Sequence, residues 1–148
     1  MGSRKKPDNL QNLETEHEGL ALLRKVDKAV YVPTKVEKLA VLKMMGVSEK
    51  FVRTFDALRL KVPAYSKIKN AKDFELIEVK VTQKALDRFP EGFFFGMTEN
   101  EEMLLKVLEP NFKLCLVSMA GAGHFRYLTY SELVKLVRNR RIQFQVNL

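Results

Sequence analysis

Apolar and polar positions alternate along this chain with two different periods, and the switches between them mark out its elements. Residues 1–12 are polar and basic, contain a proline and show no apolar period, which predicts a flexible tail. From Leu13 to about Lys28 the spacing predicts a helix with Leu20, Leu23 and Val26 facing inward, although Gly19 counts against it. Val30-Tyr-Val-Pro33 reads as a short extended stretch stopped by its proline. Thr34 opens a second helix. It stands at capping-box spacing from Glu37, Val36, Leu39, Ala40 and Leu42 supply an apolar side, and Gly46 ends the run. After Ser48 two periods compete. Phe51, Val52, Phe55 and Leu58 fit a helix, while Ala57-Leu-Arg-Leu-Lys-Val62 fits a strand, and Asp56 lies at the junction.

Pro63 to Lys72 reads as a loop or hairpin connection, and Phe74 to Val81 is the clearest strand. Leu76, Glu78 and Lys80 share one of its faces; Glu75, Ile77, Val79 and Val81 share the other. Gly92-Phe-Phe-Phe-Gly96 reads as a short buried turn or strand. Thr98, with Glu101 three residues on, predicts a capped helix whose apolar face is Met103, Leu104, Val107 and Leu108, stopped by Pro110. Phe112 to Met119 is a second buried strand, and Ala120-Gly-Ala-Gly123 a flexible turn. Thr129 and Glu132 cap a last helix from Tyr130 to about Arg140, and Ile142 to Leu148 alternates like a terminal strand. Helices that alternate with strands predict an α/β fold, a mixed sheet of four to five strands flanked by helices. A chain of 148 residues suits one domain, spanning 13–148, with a helical part at 13–50 and a core at 51–148.

Charge changes this picture modestly. Lys and Arg number 26 against 18 Asp and Glu, a net +8. That excess fits a polyanionic partner, because basic side chains release counterions from phosphates; it also fits a merely soluble basic protein. Cys115 stands in the apolar run Phe112-Lys-Leu-Cys-Leu-Val117, which predicts a buried, inert thiol and an intracellular, reducing compartment, cytoplasmic or nuclear. No segment is apolar enough to span a membrane, and the N-terminus lacks the apolar stretch of a secretory signal.

The chemistry centres on Glu78 and Lys80. Two residues apart on a strand, their side chains point the same way, ~7 Å apart along the chain. Phosphodiester hydrolysis needs a hard cation held by oxygen ligands, an oriented water and a positive charge near the attacked phosphate. Glu78 can ligate the cation, and Lys80 can orient the water and face the phosphate. Asp56 is the first choice for a second carboxylate. By itself Glu-x-Lys is equally the mark of a solvated ion pair, but the apolar residues around it make a solvated face less natural.

With Phe55-Asp56 upstream and Phe74-Glu-Leu-Ile-Glu78-Val-Lys80-Val-Thr82 after it, the arrangement resembles the PD-(D/E)xK nuclease superfamily, the restriction-endonuclease-like fold. The continuation Phe93-Phe-Phe-Gly-Met-Thr98-Glu-Asn100-Glu101, a helix and the strand at 112–117 is similar to the nuclease-like domain at the C-terminus of plant NO VEIN proteins and in prokaryotic restriction and defence proteins. The resemblance covers about residues 50–120. It implies a four-stranded mixed sheet with flanking helices and Mg²⁺-dependent (or Mn²⁺-dependent) cleavage of DNA. It assigns Asp56 and Glu78 to the metal, Lys80 to catalysis and Gln83 to the same pocket. It further implies a Glu from an early helix, for which Glu18 and Glu37 are the alternatives. The chain departs from the family in lacking Pro before Asp56 and in its long 63–72 connection, which leaves Asp73 as a rival first acid.

Other polar residues have plainer readings. Capping explains Thr98 and Glu101. His17 and His124 read as surface histidines, with His124 near substrate as the alternative, and Phe93 to Phe95 read as core. Lys67, Lys69 and Lys72 are expected near the site as contacts to the nucleic-acid backbone. Arg138, Arg140 and Arg141 suit either a helix C-terminus or phosphates. The expectation is therefore a Mg²⁺-dependent DNA endonuclease with no membrane partner. Its alternatives are a non-catalytic nucleic-acid-binding module and a subunit that works as a homodimer or within a larger nuclease complex.

Overall fold

The structure, a computed structural model, describes residues 8–120 and 124–140, with only the backbone described for 8–14. Helix α1 runs Asp8–Val26, strand β1 Val30–Tyr31, α2 Lys35–Met44, β2 Ala57–Leu60, β3 Phe74–Thr82, α3 Glu99–Val107, β4 Phe112–Ser118, β5 His124–Leu128 and α4 Tyr130–Leu136. The strands form one sheet in the order β1-β2-β3-β4-β5. β3 and β4 are parallel; the other neighbours are antiparallel. The fold is mixed α/β, as the alternation of periods predicts.

The pleat of β3 divides the core. Phe74 and Leu76 pack with Val41 and Leu42 of α2, Leu104 and Leu105 of α3, and Leu133 of α4. Ile77 and Val79 pack on the other face with Leu23 of α1, Ala57, Cys115 and Val117. Among the described residues, fourteen fully or nearly buried ones make up the first cluster and seven the second, so the face under α2, α3 and α4 carries most of their hydrophobic stabilisation. Cys115 lies at the centre of the thinner cluster. Burial pushes its thiol up to about 12, the inert cysteine expected from its surroundings.

Several expectations shift. Helix α1 starts at Asp8, inside the stretch read as tail, and Val26 is exposed. In α2 the inward side is Val41 and Leu42, while Val36 and Ala40 face solvent. In α3 it is Leu104 and Leu105, with Met103 and Val107 exposed. At 51–60 the strand period wins: a short 3-10 turn at Glu49–Phe51 gives way to β2, whose Ala57 and Leu58 are both buried. Phe93 and Phe95 pack on the larger cluster, but Phe94 is exposed. Strand β5 was not expected, and α4 ends at Leu136 rather than near Arg140. The turn at 121–123 and the alternating segment 142–148 lie outside the described residues.

Gly19 has a steric reason. A Cβ there would collide with a γ-methyl of Val81, so its lack of side chain lets α1 lie directly on β3. Beyond it, the α1–β1 turn is tied to the sheet by Asp27. Its carboxylate accepts from Arg59 Nε at 2.8 Å, from the Tyr127 hydroxyl at 2.7 Å and from the Ala29 amide at 3.0 Å. Arg59 also approaches Glu75, buried and paired with Lys113 Nζ at 2.7 Å. Among the described residues no helix is long and apolar enough to cross a membrane.

Candidate active site

Antiparallel pairing sets Ala57 of β2 opposite Ile77 of β3, and one step further sets Asp56 opposite Glu78. The Asp56 amide donates to Ile77 O at 2.8 Å, and its carboxylate accepts from the Val79 amide at 2.8 Å. Asp56 thus replaces a backbone carbonyl at the end of the ladder, and this pins its carboxylate against β3. By the same pleat, Glu78 and Lys80 follow Leu76 on the face covered by α2 and α3. The Glu78 side chain is hydrogen-bonded to Asp56. The Lys80 ammonium meets Glu101 Oε2 at 2.8 Å, and both of these side chains are only 12% exposed. One end of β3 therefore gathers Asp56, Glu78, Lys80 and the first turn of α3.

Glu78 is 6% exposed. Burial first, then its hydrogen bond and charge contact with Asp56, push its carboxyl up to about 11, so it keeps a proton at neutral pH. Burial works against the charge of Lys80, but Glu78, Glu101 and Glu16 together raise its pKa and keep the ammonium. Glu16 of α1 belongs to the same field: burial, then Asp56 and Glu101, raise its carboxyl, with Lys80 opposing. Three carboxyl groups, Glu78, Glu101 and Glu16, thus act on one ammonium.

Asp56, Glu78 and Lys80 come together at one end of β3; the other expected residues do not. Gln83 turns toward α1 and donates to Glu18 at 3.4 Å, which accounts for both. Glu37 caps α2 and accepts from the Tyr31 hydroxyl at 2.9 Å. Asp73 accepts from the Lys69 and Asn70 amides at the far end of the β2–β3 hairpin. Lys67, Lys69 and Lys72 lie on that same connection. It joins the strands at Leu60 and Phe74, four residues or ~13 Å along β3 from Glu78, so these lysines are not beside the acids. Arg138 pairs with Glu91 at 3.1 Å and Arg140 with Glu102 at 2.7 Å; Arg141 lies outside the described residues. His17 is exposed, and the His124 ring lies 6.0 Å from that of Phe89.

Two further residues belong to the site. Thr98 does accept from the Glu101 amide at 3.1 Å, but the Glu101 side chain turns to Lys80 instead of closing the capping box. Glu16, not Glu18, is the carboxyl that α1 brings toward the acid pair. Arg126 joins them on the same face: Lys80 pairs with Leu116, and Leu116 with Arg126, two strands or ~10 Å across. Its place shows only once His124–Leu128 is known to be a strand.

The donor set suits a small hard cation. Among the described residues no three His, Cys, Asp or Glu side chains are grouped as ligands for one metal ion. Mg²⁺, however, keeps several waters and takes one or two carboxylates. Asp56 and Glu78 are two such groups already in contact, and the proton that Glu78 retains there is what a divalent ion would displace. Comparison of the chain with protein-family models, with curated proteins and with solved structures finds no match in any of the three.

Proposed function

We propose that this chain is a metal-dependent nuclease of the PD-(D/E)xK type, hydrolysing phosphodiester bonds in DNA. The observation that carries the reading is the meeting of Asp56, Glu78 and Lys80 on one face at one end of β3, with Glu101 fixing the lysine. The mixed sheet with its parallel β3–β4 pair and helices on both faces supports the restriction-endonuclease-like fold. Asp56 and Glu78 would hold Mg²⁺ or Mn²⁺. When bound, the ion supplies positive charge against the charge developing on the attacked phosphate. Lys80 presents its ammonium to that phosphate and orients the attacking water. Glu101 holds the Lys80 side chain in line, and the Val79 amide holds the Asp56 carboxylate toward Glu78.

Purified protein incubated with Mg²⁺ or Mn²⁺ is expected to cut at least one of duplex, branched or single-stranded DNA. Lys80→Ala and Asp56→Asn are each expected to lower cutting by about 100-fold or more, with circular dichroism at the assay temperature showing a folded chain. Failure to cut all three DNAs with either ion defeats the proposal. One observation favours a second reading, a non-catalytic nucleic-acid-binding module: Lys80 is already neutralised by Glu101, and Glu78 is protonated. Calorimetric Mn²⁺ titration separates the two. Binding that disappears in Glu78→Gln supports the nuclease; no binding to the wild-type chain supports the module.

A further inference from the structure

An open cleft of about 290 Å³ lies between the start of α2 and the turn that leads into β2, lined by Pro33, Lys35, Lys38, Val52 and Arg53. Three of its five lining side chains are cationic and none is acidic. Among the described residues neither Lys35 nor Arg53 has an ion-pair partner. Lys38 is built into the wall: its Nζ donates to Phe55 O at 3.0 Å and sits 5.3 Å from the Phe55 ring centre. The α2 N-terminus is already closed by Thr34 and Glu37, so side-chain cations, not helix amides, face the cleft. Uncompensated like charges repel, and the fold gains nothing by collecting them. A bound polyanion does gain.

The cleft is also close to Asp56 along the chain. Phe55, which Lys38 grips, precedes Asp56, and Arg53 is three residues away, at most ~11 Å along the chain. We propose that this cleft grips the sugar–phosphate backbone of the DNA next to the bond cut at Asp56 and Glu78, with Lys35 and Arg53 each neutralising a phosphate. The assignment rests on the nuclease reading for its substrate, and it replaces the hairpin lysines as the backbone contact. Pro33 and Val52 give the cleft apolar sides that suit a sugar edge.

The test is binding of a fluorescein-labelled DNA duplex, followed by anisotropy in EDTA over a range of salt. Three proteins are compared: wild type, Lys35→Gln/Arg53→Gln, and the equally charge-reduced Lys67→Gln/Lys69→Gln. Lys38 is left intact because it supports the Phe55 carbonyl. Each lost phosphate contact lowers the slope of log affinity against log salt by about one. The cleft variant is expected to lose about two from the slope and the hairpin variant less than one, with thermal melts matching wild type. Lys35→Gln alone should lose about one. An unchanged slope in the cleft variant, an equal loss in the hairpin variant, or no duplex binding by wild type overturns the proposal. If the cleft variant loses its slope as expected but wild-type protein cuts no DNA with Mg²⁺ or Mn²⁺, the nuclease reading fails and the cleft stands as a DNA-binding groove. If wild type cuts, the cleft variant should show a raised KM with kcat retained.

Discussion

Glu78 occupies a position that a charged carboxylate tolerates poorly, enclosed by the larger core cluster and set against a second acid. Its cost to the fold follows from linkage. Its ordinary value is 4.5, and in the folded chain it stands at about 11. The native state therefore holds this proton more tightly than the unfolded chain. The resulting stability is full below about pH 4.5 and drains away as pH rises toward 11. Glu78→Gln keeps the shape and the hydrogen-bond donor without the titration. It is expected to raise the melting temperature at pH 8 by roughly 3 °C or more, about 1 kcal/mol, and to change it little at pH 4. A gain of equal size at both pH values would show that burial, not ionisation, sets the cost. Glu78 and Lys80 could be picked out because a strand displays every second residue on one face. Glu101 could not be placed the same way: Thr98-Glu-Asn-Glu101 satisfies a capping rule, and only the approach of α3 to β3 shows that the carboxylate points elsewhere. Glu16 was missed in favour of Glu18 because helical periodicity defines a face but not how far each residue reaches over a sheet edge.

At the scale of elements, the contact of α1 with β3 decides how closely the helix that carries Glu16 approaches the site. That contact depends on the missing side chain of Gly19. On helix propensity alone Gly19→Ala would stabilise α1 by up to ~1 kcal/mol. Here the added methyl meets the branched, rotationally stiff Val81, so the substitution is expected to destabilise by about 1–3 kcal/mol in urea unfolding. Val81→Ala in the same chain should restore part of the loss, and strict additivity of the two changes would refute the contact. The glycine that weakened the helical reading of 13–28 is thus the residue that makes the packing possible. Strand β3 was legible because Ile77, Val79, Val81 and Thr82 give it strongly β-branched character. Strand β5, five residues with three exposed, carries no such signal: its pairing with β4 makes it a strand, not its composition.

Across the whole molecule, Asp27 is the point where distant segments are tied together, linking the end of α1 to β2 through Arg59 and to β5 through Tyr127, one hundred residues on. Burial works against its charge, yet bonds from Arg59, Tyr127 and Ala29 hold it below its ordinary 3.8. The sign is opposite to that of Glu78: this stability is present above pH 3.8 and is lost as pH falls through the depressed value. Asp27→Ala is expected to cost about 1–3 kcal/mol at pH 7, measured by urea unfolding, with the difference from wild type shrinking toward pH 3. The mixed α/β architecture was readable from the alternation of periods, while this tie was not, since nothing in residues 27, 59 and 127 taken singly marks them as neighbours. The β2–β3 hairpin has a practical consequence of its own. Its long connection leaves the sheet at the end remote from the acid pair, and the entropy of closing a loop rises by only ~0.6 kcal/mol for each doubling of its length. The exposed Ser66 and Lys67 are therefore a handle: a dye or a surface tether can be attached there, leaving Asp56, Glu78 and Lys80 where they are.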